Sequence, residues 1–146
     1  MARTDYYQDP DAPTPNSLVV AVSVYVTNES GEILLIRRVD NDLYSIPGGG
    51  QEPGETLSQT AVRETKEETG IDIRVTGLVG LYSDPAHIIA YTDGEVRQEF
   101  SICFRAVATG GRLETSSESK EVGWSTPGDI EQLTMHHHPP AHRARS

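Results

Sequence analysis

The sequence has little cysteine and no long apolar run. Cys103 is the single cysteine among 146 residues, which excludes an internal disulfide framework and fits a reducing compartment. The first ten residues lack the apolar core of a signal peptide, and no segment is apolar over the length of a membrane span. We therefore expect a cytoplasmic protein with no membrane partner, in which Cys103 is a small buried core residue.

Positive charge is also scarce. The chain carries 12 Lys and Arg against 22 Asp and Glu, a formal net charge of -10. A protein that binds DNA or RNA by neutralising phosphates presents a basic face, so this balance excludes a nucleic-acid duplex as the main partner. With 36% hydrophobic and 23% charged residues, the composition is that of a globular protein, and the length fits one domain.

The two ends of the chain differ in composition from the middle. Residues 1–17 contain three prolines and three aspartates, which predicts an N-terminal arm on the surface or partly disordered. Residues 134–146 contain four histidines, two arginines and no acid, which predicts a flexible tail. The catalytic or binding domain is expected to span residues 18–133.

The pattern within that domain alternates strands with one clear helix. Apolar, β-branched residues predict strands at 18–26 and 32–38, joined as a hairpin, and helical spacing predicts a helix over 56–69 ended by Gly70. Further strands are predicted at 71–82, 87–92 and 95–108 and through Val122 and Trp124, before a brief helix at 127–133. The expected fold is α/β or α+β, a mixed β-sheet sandwiched between helices.

The most specific pattern lies in residues 49–71. It consists of Gly49, Glu55, the pair Arg63 and Glu64, the pair Glu67 and Glu68, and Gly70, separated by five, seven, two and one residues. Glu64, Glu67 and Glu68 are three and four residues apart, so a helix places them on one face. Such crowded carboxylates repel one another unless a hard divalent cation offsets the charge, although a glutamate-rich face can also be plain solvated surface.

The neighbours of these glutamates fit the same chemistry. Arg63 lies four residues before Glu67 and can hold a carboxylate through a bidentate contact. Glu55 precedes the helix, where the positive end of the helix dipole favours an acid. The three glycines at 48–50 allow backbone to approach a metal closely.

This pattern resembles the Nudix box, the signature of the Nudix hydrolases, which include MutT-like and ADP-ribose pyrophosphatase-like enzymes. It matches at every charged and glycine position, and it departs at Thr65, where the family usually has a bulky aliphatic residue. The resemblance implies that Mg²⁺, with Mn²⁺ as a substitute, binds Glu64, Glu67, Glu68 and the carbonyl of Gly48. It implies that the catalytic group comprises Glu64 and Glu67, with Arg63 and Glu55 as an orienting pair.

The resemblance also implies an activity. Nudix hydrolases cleave the pyrophosphate bond of a nucleoside diphosphate linked to another moiety, by attack of water on phosphorus. A nucleoside triphosphate, ADP-ribose and a nucleotide sugar are the open substrate classes, and Pro85, 14 residues past Ile71, is near the spacing of the ADP-ribose subgroup but also fits a plain turn. The alternative is a Nudix domain that binds a nucleotide as a sensor without turnover. A homodimer is an open alternative to a monomer.

Residues outside the box complete the expected site. The resemblance implies phosphate contacts at Arg37 and Arg38, which otherwise are exposed charges at a strand end. Tyr44 and Trp124 are candidates for substrate binding, with packing under the loop as the alternative for Tyr44 and core packing as the alternative for Trp124. The general base is expected in the box or on a later loop, where the candidates are Glu118 and Glu121, followed by Glu99.

Overall fold

The computed structural model describes residues 2–132, which form one mixed sheet with few helices. The strands are β1 Arg3–Tyr7, β2 Ser17–Thr27, β3 Ile33–Arg38, β4 Tyr44–Ser45, β5 Gly48–Gly50, β6 Ile71–Tyr91, β7 Val96–Gly111 and β8 Ser119–Ser125. The helices are α1 Leu57–Thr69 and α2 Pro127–Ile130. This mixed α+β architecture confirms the predicted fold class, and the predicted tail at 134–146 lies outside the described residues.

The strand order is β1-β6-β7-β2-β3-β4, with β5 paired to β2 and β8 paired to β3. At the centre β2 and β7 run parallel over eleven residue pairs, from Ser17 opposite Arg97 to Thr27 opposite Val107. The other pairings in the described residues are antiparallel. A buried cluster under α1 joins β2, β3, β6 and β7, and includes Val24, Leu34, Ala61 and Ala106. Cys103 is buried in β7, as predicted.

Helix α1 begins and ends where the sequence predicts. Thr56 is the N-cap and forms a capping box with Gln59, each side chain bonding the other residue's backbone N–H. Gly70 ends the helix in the left-handed region, at φ 79°. The helix buries Thr60, Ala61, Thr65, Glu68 and Thr69, and a buried glutamate in such a face calls for a chemical explanation.

Three local predictions differ from the structure. Residues 3–7 form a strand paired with β6, so this part of the predicted arm is part of the sheet. β2 and β3 meet only at Thr27 and Ile33, because β2 pairs with β7 and β5 while β3 pairs with β4 and β8. The two strands expected at 71–82 and 87–92 are one strand, β6, whose pairing with β7 breaks between Ser83 and Ile88. That break accommodates Pro85, which has no N–H to donate.

The last helix is shorter than expected. α2 has four residues and ends at Ile130, whereas the sequence predicts a helix to residue 133. Within residues 2–132, α1 is therefore the one helix longer than a single turn that packs on the sheet. In the same range no helix combines the length and the apolar character needed to cross a membrane.

Candidate functional site

The site lies where the glycine strand β5 faces the C-terminal half of α1. Val24 donates to the carbonyl of Pro47, and Gln51 donates to the carbonyl of Val20. In the antiparallel register these bonds alternate, so Gly48, opposite Ser23, occupies a position whose N–H and carbonyl point away from β2. Both backbone groups of Gly48 are thus directed to the side of β5 on which α1 lies.

Glu68 accepts the hydrogen bond that Gly48 offers. The Gly48 N–H donates to Oε1 of Glu68 at 2.8 Å, and the Ser119 hydroxyl donates to the Glu68 backbone carbonyl at 3.0 Å. Glu68 is only 7% exposed. Burial and the nearby charges of Glu64 and Glu118 raise the pKa of Glu68 to about 8, and the Gly48 hydrogen bond and Arg38 only partly oppose this increase. The raised pKa indicates that, among the described residues, no positively charged side chain fully neutralises the Glu68 carboxylate.

Glu64 lies beside Glu68, one turn earlier on the helix. Its carboxylate occupies the space next to Gly49, where a Cβ would overlap the Glu64 side chain. Burial raises the pKa of Glu64, and the charges of Glu67 and Glu118 add to that effect. The adjacent residues Gly48 and Gly49 therefore contact Glu68 and Glu64, which brings two carboxylates and one backbone carbonyl to the same place.

Arg63 organises the acids at the other end of the site. Its Nε and Nη2 donate to the two carboxylate oxygens of Glu55 at 2.5 and 2.9 Å, and its Nη1 donates to Glu64 at 2.7 Å. Nη2 also donates to the carbonyl of Gly50 at 3.0 Å. The Arg63 hydrogen bonds, followed by the Glu52 backbone N–H, lower the pKa of Glu55 to about 2. The predicted orienting pair is thus a bidentate ion pair that fixes Glu64.

Glu67 does not converge with the other two glutamates. Its side chain is 55% exposed, and it is held at 3.2 Å by Nη1 of Arg63. In residues 2–132 no three His, Cys, Asp or Glu side chains are arranged to hold one ion. The donor set that does come together, Glu64, Glu68 and the Gly48 carbonyl, is all oxygen. It fits Mg²⁺, which takes one or two carboxylates and keeps several waters.

The two arginines at the end of β3 have different surroundings. Arg37 pairs with Asp42 at 2.9 Å and with Glu121 at 2.8 Å, and its guanidinium lies 5.4 Å from the ring centre of Tyr44. Arg38 makes a two-point contact with Asp40 at 2.9 and 2.7 Å, and its charge acts on Glu68. Of the two, Arg38 is the one whose charge lowers the pKa of the buried glutamate.

The predicted aromatic residues are also separated. Tyr44, on β4, lies opposite Arg37, and its hydroxyl is 3.5 Å from Glu121. Trp124, on β8, lies opposite Leu34 and packs against the central apolar cluster. Trp124 therefore packs against the core, which is the alternative that the sequence leaves open for it.

The base candidates fall in three different places. Glu118 is exposed just before β8, and its charge acts on both Glu64 and Glu68. Its carbonyl accepts from the N–H of Val39 at 3.1 Å, which fixes its backbone near the end of β3. Glu121 is paired with Arg37, and Glu99 lies 3.4 Å from Arg97 on β7. Glu118 is thus the later acid whose charge raises the pKa of both glutamates.

Sequence reasoning missed two supporting hydroxyls. Thr60 donates to Glu55 at 3.0 Å, and Ser119 donates to the backbone of Glu68. A buried threonine five residues after an acid at a helix start is a usable local signal for the first contact. The Ser119 contact spans 51 residues and leaves no local pattern.

Comparison with known proteins identifies the same region. The family model described as the NUDIX domain matches residues 17–144. A "MutT-like protein" of Streptomyces ambofaciens is 36% identical over 125 residues, which cover 86% of this chain and 75% of that protein. An "ADP-ribose pyrophosphatase" of Methanocaldococcus jannaschii is 32% identical over 120 residues, which cover 77% of this chain but only 64% of the relative.

Solved structures share the architecture. The crystal structure of a MutT protein from Methanosarcina mazei superposes with a TM-score of 0.65 at 24% identity, covering 93% of this chain and 92% of that chain. At that level of identity the similarity establishes the fold of the sheet and α1.

Proposed function

The chain belongs to the NUDIX family, and from this premise we propose that it is a Mg²⁺-dependent pyrophosphohydrolase. Its substrate is a nucleoside diphosphate linked to a further group, and water attacks phosphorus. The observation that carries the proposal is the buried carboxyl of Glu68, held by Gly48 beside Glu64 in an all-oxygen site. Relatives whose names state MutT-like and ADP-ribose pyrophosphatase identities support the same reaction class.

Each residue of the site has a proposed part. Glu64, Glu68 and the carbonyl of Gly48 would hold Mg²⁺, while Glu67 stays at the rim on Arg63. The bound ion would polarise phosphate oxygens and make water a better nucleophile. Arg63, itself fixed by Glu55, keeps one oxygen of Glu64 engaged, which limits the orientations open to that carboxylate.

We assign the general base to Glu118. It is exposed, so it can exchange a proton with solvent after accepting one from the attacking water. Its charge acts on both buried glutamates, which supports its position at the same cleft. Glu121 is less suited, because Arg37 already neutralises it.

A panel of substrates tests the reaction. The protein is incubated with ADP-ribose, a nucleotide sugar and nucleoside triphosphates in Mg²⁺, in Mn²⁺ and in excess EDTA, and the products are separated. AMP with ribose 5-phosphate would identify ADP-ribose as the substrate, a nucleoside monophosphate with a sugar phosphate would identify the nucleotide sugar, and a nucleoside monophosphate with pyrophosphate would identify a nucleoside triphosphate. EDTA is expected to abolish turnover. Nucleotide binding without cleavage of any compound would contradict the proposal and support the sensor alternative.

A further inference from the structure

A cavity of about 370 Å³ lies between β1 and the turn that follows β3. Arg3, Asp5 and Tyr7 line it from β1, and Asp40, Asn41 and Leu43 line it from the turn. Its size falls in the range of small-molecule sites, roughly 300 to 1,000 Å³. The catalytic proposal uses none of these six residues.

Arg38 connects this cavity to the glutamate site. Its N–H donates to the carbonyl of Leu43 at 2.8 Å, and its guanidinium holds Asp40, so it supports the turn that forms one wall. The charge of Arg38 also acts on Glu68, on Arg3 and on Tyr7. Because Arg38 supports the cavity wall through Asp40 and acts on Glu68, a nucleotide bound through Mg²⁺ at Glu64 and Glu68 would direct its nucleoside end to this cavity.

The charges of the cavity do not suit a phosphate. Nε and Nη2 of Arg3 donate hydrogen bonds to the two carboxylate oxygens of Asp5, both at 2.8 Å. The Arg38 guanidinium is likewise paired with Asp40. Each cation at the wall is thus matched by a carboxylate, and an uncharged group with hydrogen-bonding edges fits better than an anion.

Tyr7 supplies a fixed aromatic surface in this cavity. Its ring stacks on His87 of β6, with ring centres 4.3 Å apart and planes inclined by 19°. The Tyr7 hydroxyl donates to Asp5 at 3.3 Å, and His87 Nε2 lies 2.9 Å from the same carboxylate. The ring is therefore held by its neighbours before any ligand arrives, which lowers the cost of stacking a base on it.

The β1 wall of this cavity lies outside the segment that the family model matches. The family match begins at residue 17, whereas β1 spans residues 3–7. We propose that β1 and the turn at residues 40–43 form the nucleoside subsite of this enzyme, in which a nucleobase stacks on Tyr7. The assignment of the adjoining phosphate end rests on the proposed function, but stacking on Tyr7 needs neither metal nor turnover.

The test is a calorimetric titration in EDTA with AMP, GMP, CMP and UMP, compared with ribose 5-phosphate. The last compound keeps the sugar and phosphate and lacks the base. Wild-type protein is expected to bind at least one nucleoside monophosphate more tightly than ribose 5-phosphate. Tyr7→Ala is expected to weaken that binding about tenfold or more and to remove the preference, because base stacking on the ring is lost.

Three variants control the result. Tyr7→Phe keeps the ring and is expected to bind as wild type. Tyr6→Ala removes a tyrosine that points to the opposite face of the same strand, and it is also expected to bind as wild type. Leu43→Trp enlarges a side chain that lines the cavity from the turn and is expected to weaken binding even if Tyr7→Ala is too unstable to measure.

Two outcomes overturn the subsite. One is equal binding of ribose 5-phosphate and of every nucleoside monophosphate by wild-type protein, which would mean that only phosphate is recognised. The other is undiminished binding in both Tyr7→Ala and Leu43→Trp. A wild-type protein that binds AMP through Tyr7 and hydrolyses nothing contradicts the proposed function alone.

Discussion

The backbone N–H of Gly48 donates to the carboxylate of Glu68 across a gap of twenty residues in the sequence. This bond joins the glycine strand to the buried face of α1 and places the Glu68 carboxyl beside Glu64. The pKa of about 8 means that much of Glu68 is protonated at neutral pH in the absence of a cation. Glu68 therefore matters for what it can bind more than for the stability of the fold.

The first prediction follows from that state. Glu68→Gln is expected to lower kcat/KM by about 100-fold or more, because an amide is a poor ligand for a hard divalent cation. The glutamine oxygen can still accept from Gly48, so the free energy of unfolding should change by less than about 1 kcal/mol. Mg²⁺ titrations of activity and urea unfolding measure the two effects. Glu67→Gln, at an exposed position, is the control and should lose less activity.

The second prediction concerns the glycine strand. Gly49→Ala places a methyl group in the space of the Glu64 carboxylate, so Glu64 must move. A displacement of about 1 Å at a catalytic group can cost on the order of 100-fold in rate, and we expect a loss of that size in kcat. Gly50→Ala is the matched control, because its Cβ would meet nothing within 4 Å. Equal activity in both variants would contradict the position assigned to Glu64.

The third prediction separates the two late acids. Glu118→Gln is expected to lower kcat by about 100-fold, the lower end of general-base contributions, with KM little changed. Glu121→Gln should leave kcat within a few-fold, since Glu121 pairs with Arg37 on β3. Steady-state kinetics on whichever nucleotide is cleaved decides between them. A larger loss in the Glu121 variant would move the base to β8.

The fourth prediction uses an unsatisfied hydroxyl. The Oγ of Thr65 is buried in α1 without a hydrogen-bond partner. Thr65→Val keeps the shape and removes the buried polar atom, so it should stabilise the fold by about 1 kcal/mol in urea unfolding. The contrasting variant is Thr60→Val, whose hydroxyl bonds Glu55 and the Thr56 carbonyl and whose loss should destabilise by a similar amount. Destabilisation by Thr65→Val would show that its hydroxyl is satisfied.

The fifth prediction concerns pH and the N-terminal strand. Burial raises the pKa of Asp5, but the hydrogen bonds and positive charges of His87 and Arg3 outweigh it and hold that pKa well below its usual range. Because the folded-state pKa lies below the unfolded-state value of about 4, the ionised Asp5 stabilises the fold above that pH. This stabilisation is lost as the pH falls further. At pH 7 the free energy of unfolding of the wild-type protein should exceed that of Asp5→Asn by about 2 kcal/mol. Urea unfolding from pH 7 to pH 3 should show this gap narrowing below about pH 4.

Local patterns in the sequence predicted where the helix begins and ends. Thr56, Gln59 and Gly70 are capping signals that act within a few residues, and the helix begins and ends at them. Arg63 and Glu55 were also recoverable, because helical spacing and the helix start fix where their side chains can reach. The sequence also predicts Glu67 as a metal ligand, whereas the structure places its side chain at the exposed rim of the site, where Arg63 holds it.

Long-range pairing was not predictable from local patterns. β1 is rich in polar residues and becomes a strand only because β6, more than eighty residues later, offers it a paired edge. Asp84 and Pro85 indicate a turn by composition, yet β6 continues through them, and its register with β7 shifts between Ser83 and Ile88. Trp124 shows the same limit, since its spacing does not tell whether it lies on substrate or, as here, against the core.

The parallel pairing of β2 with β7 has a consequence for how the chain folds. Its partners are about eighty residues apart, from Ser17 opposite Arg97 onward, and two strands so distant cannot zip together from a turn. During synthesis the apolar strand β2 leaves the ribosome about eighty residues before β7, so it lacks this neighbour until β7 has been made. The β6 and β7 hairpin can form by itself through the turn at Asp93 and Gly94, and β2 then docks beside it. During synthesis, the exposed flank of β2 is the place where this chain is most open to aggregation or to a chaperone.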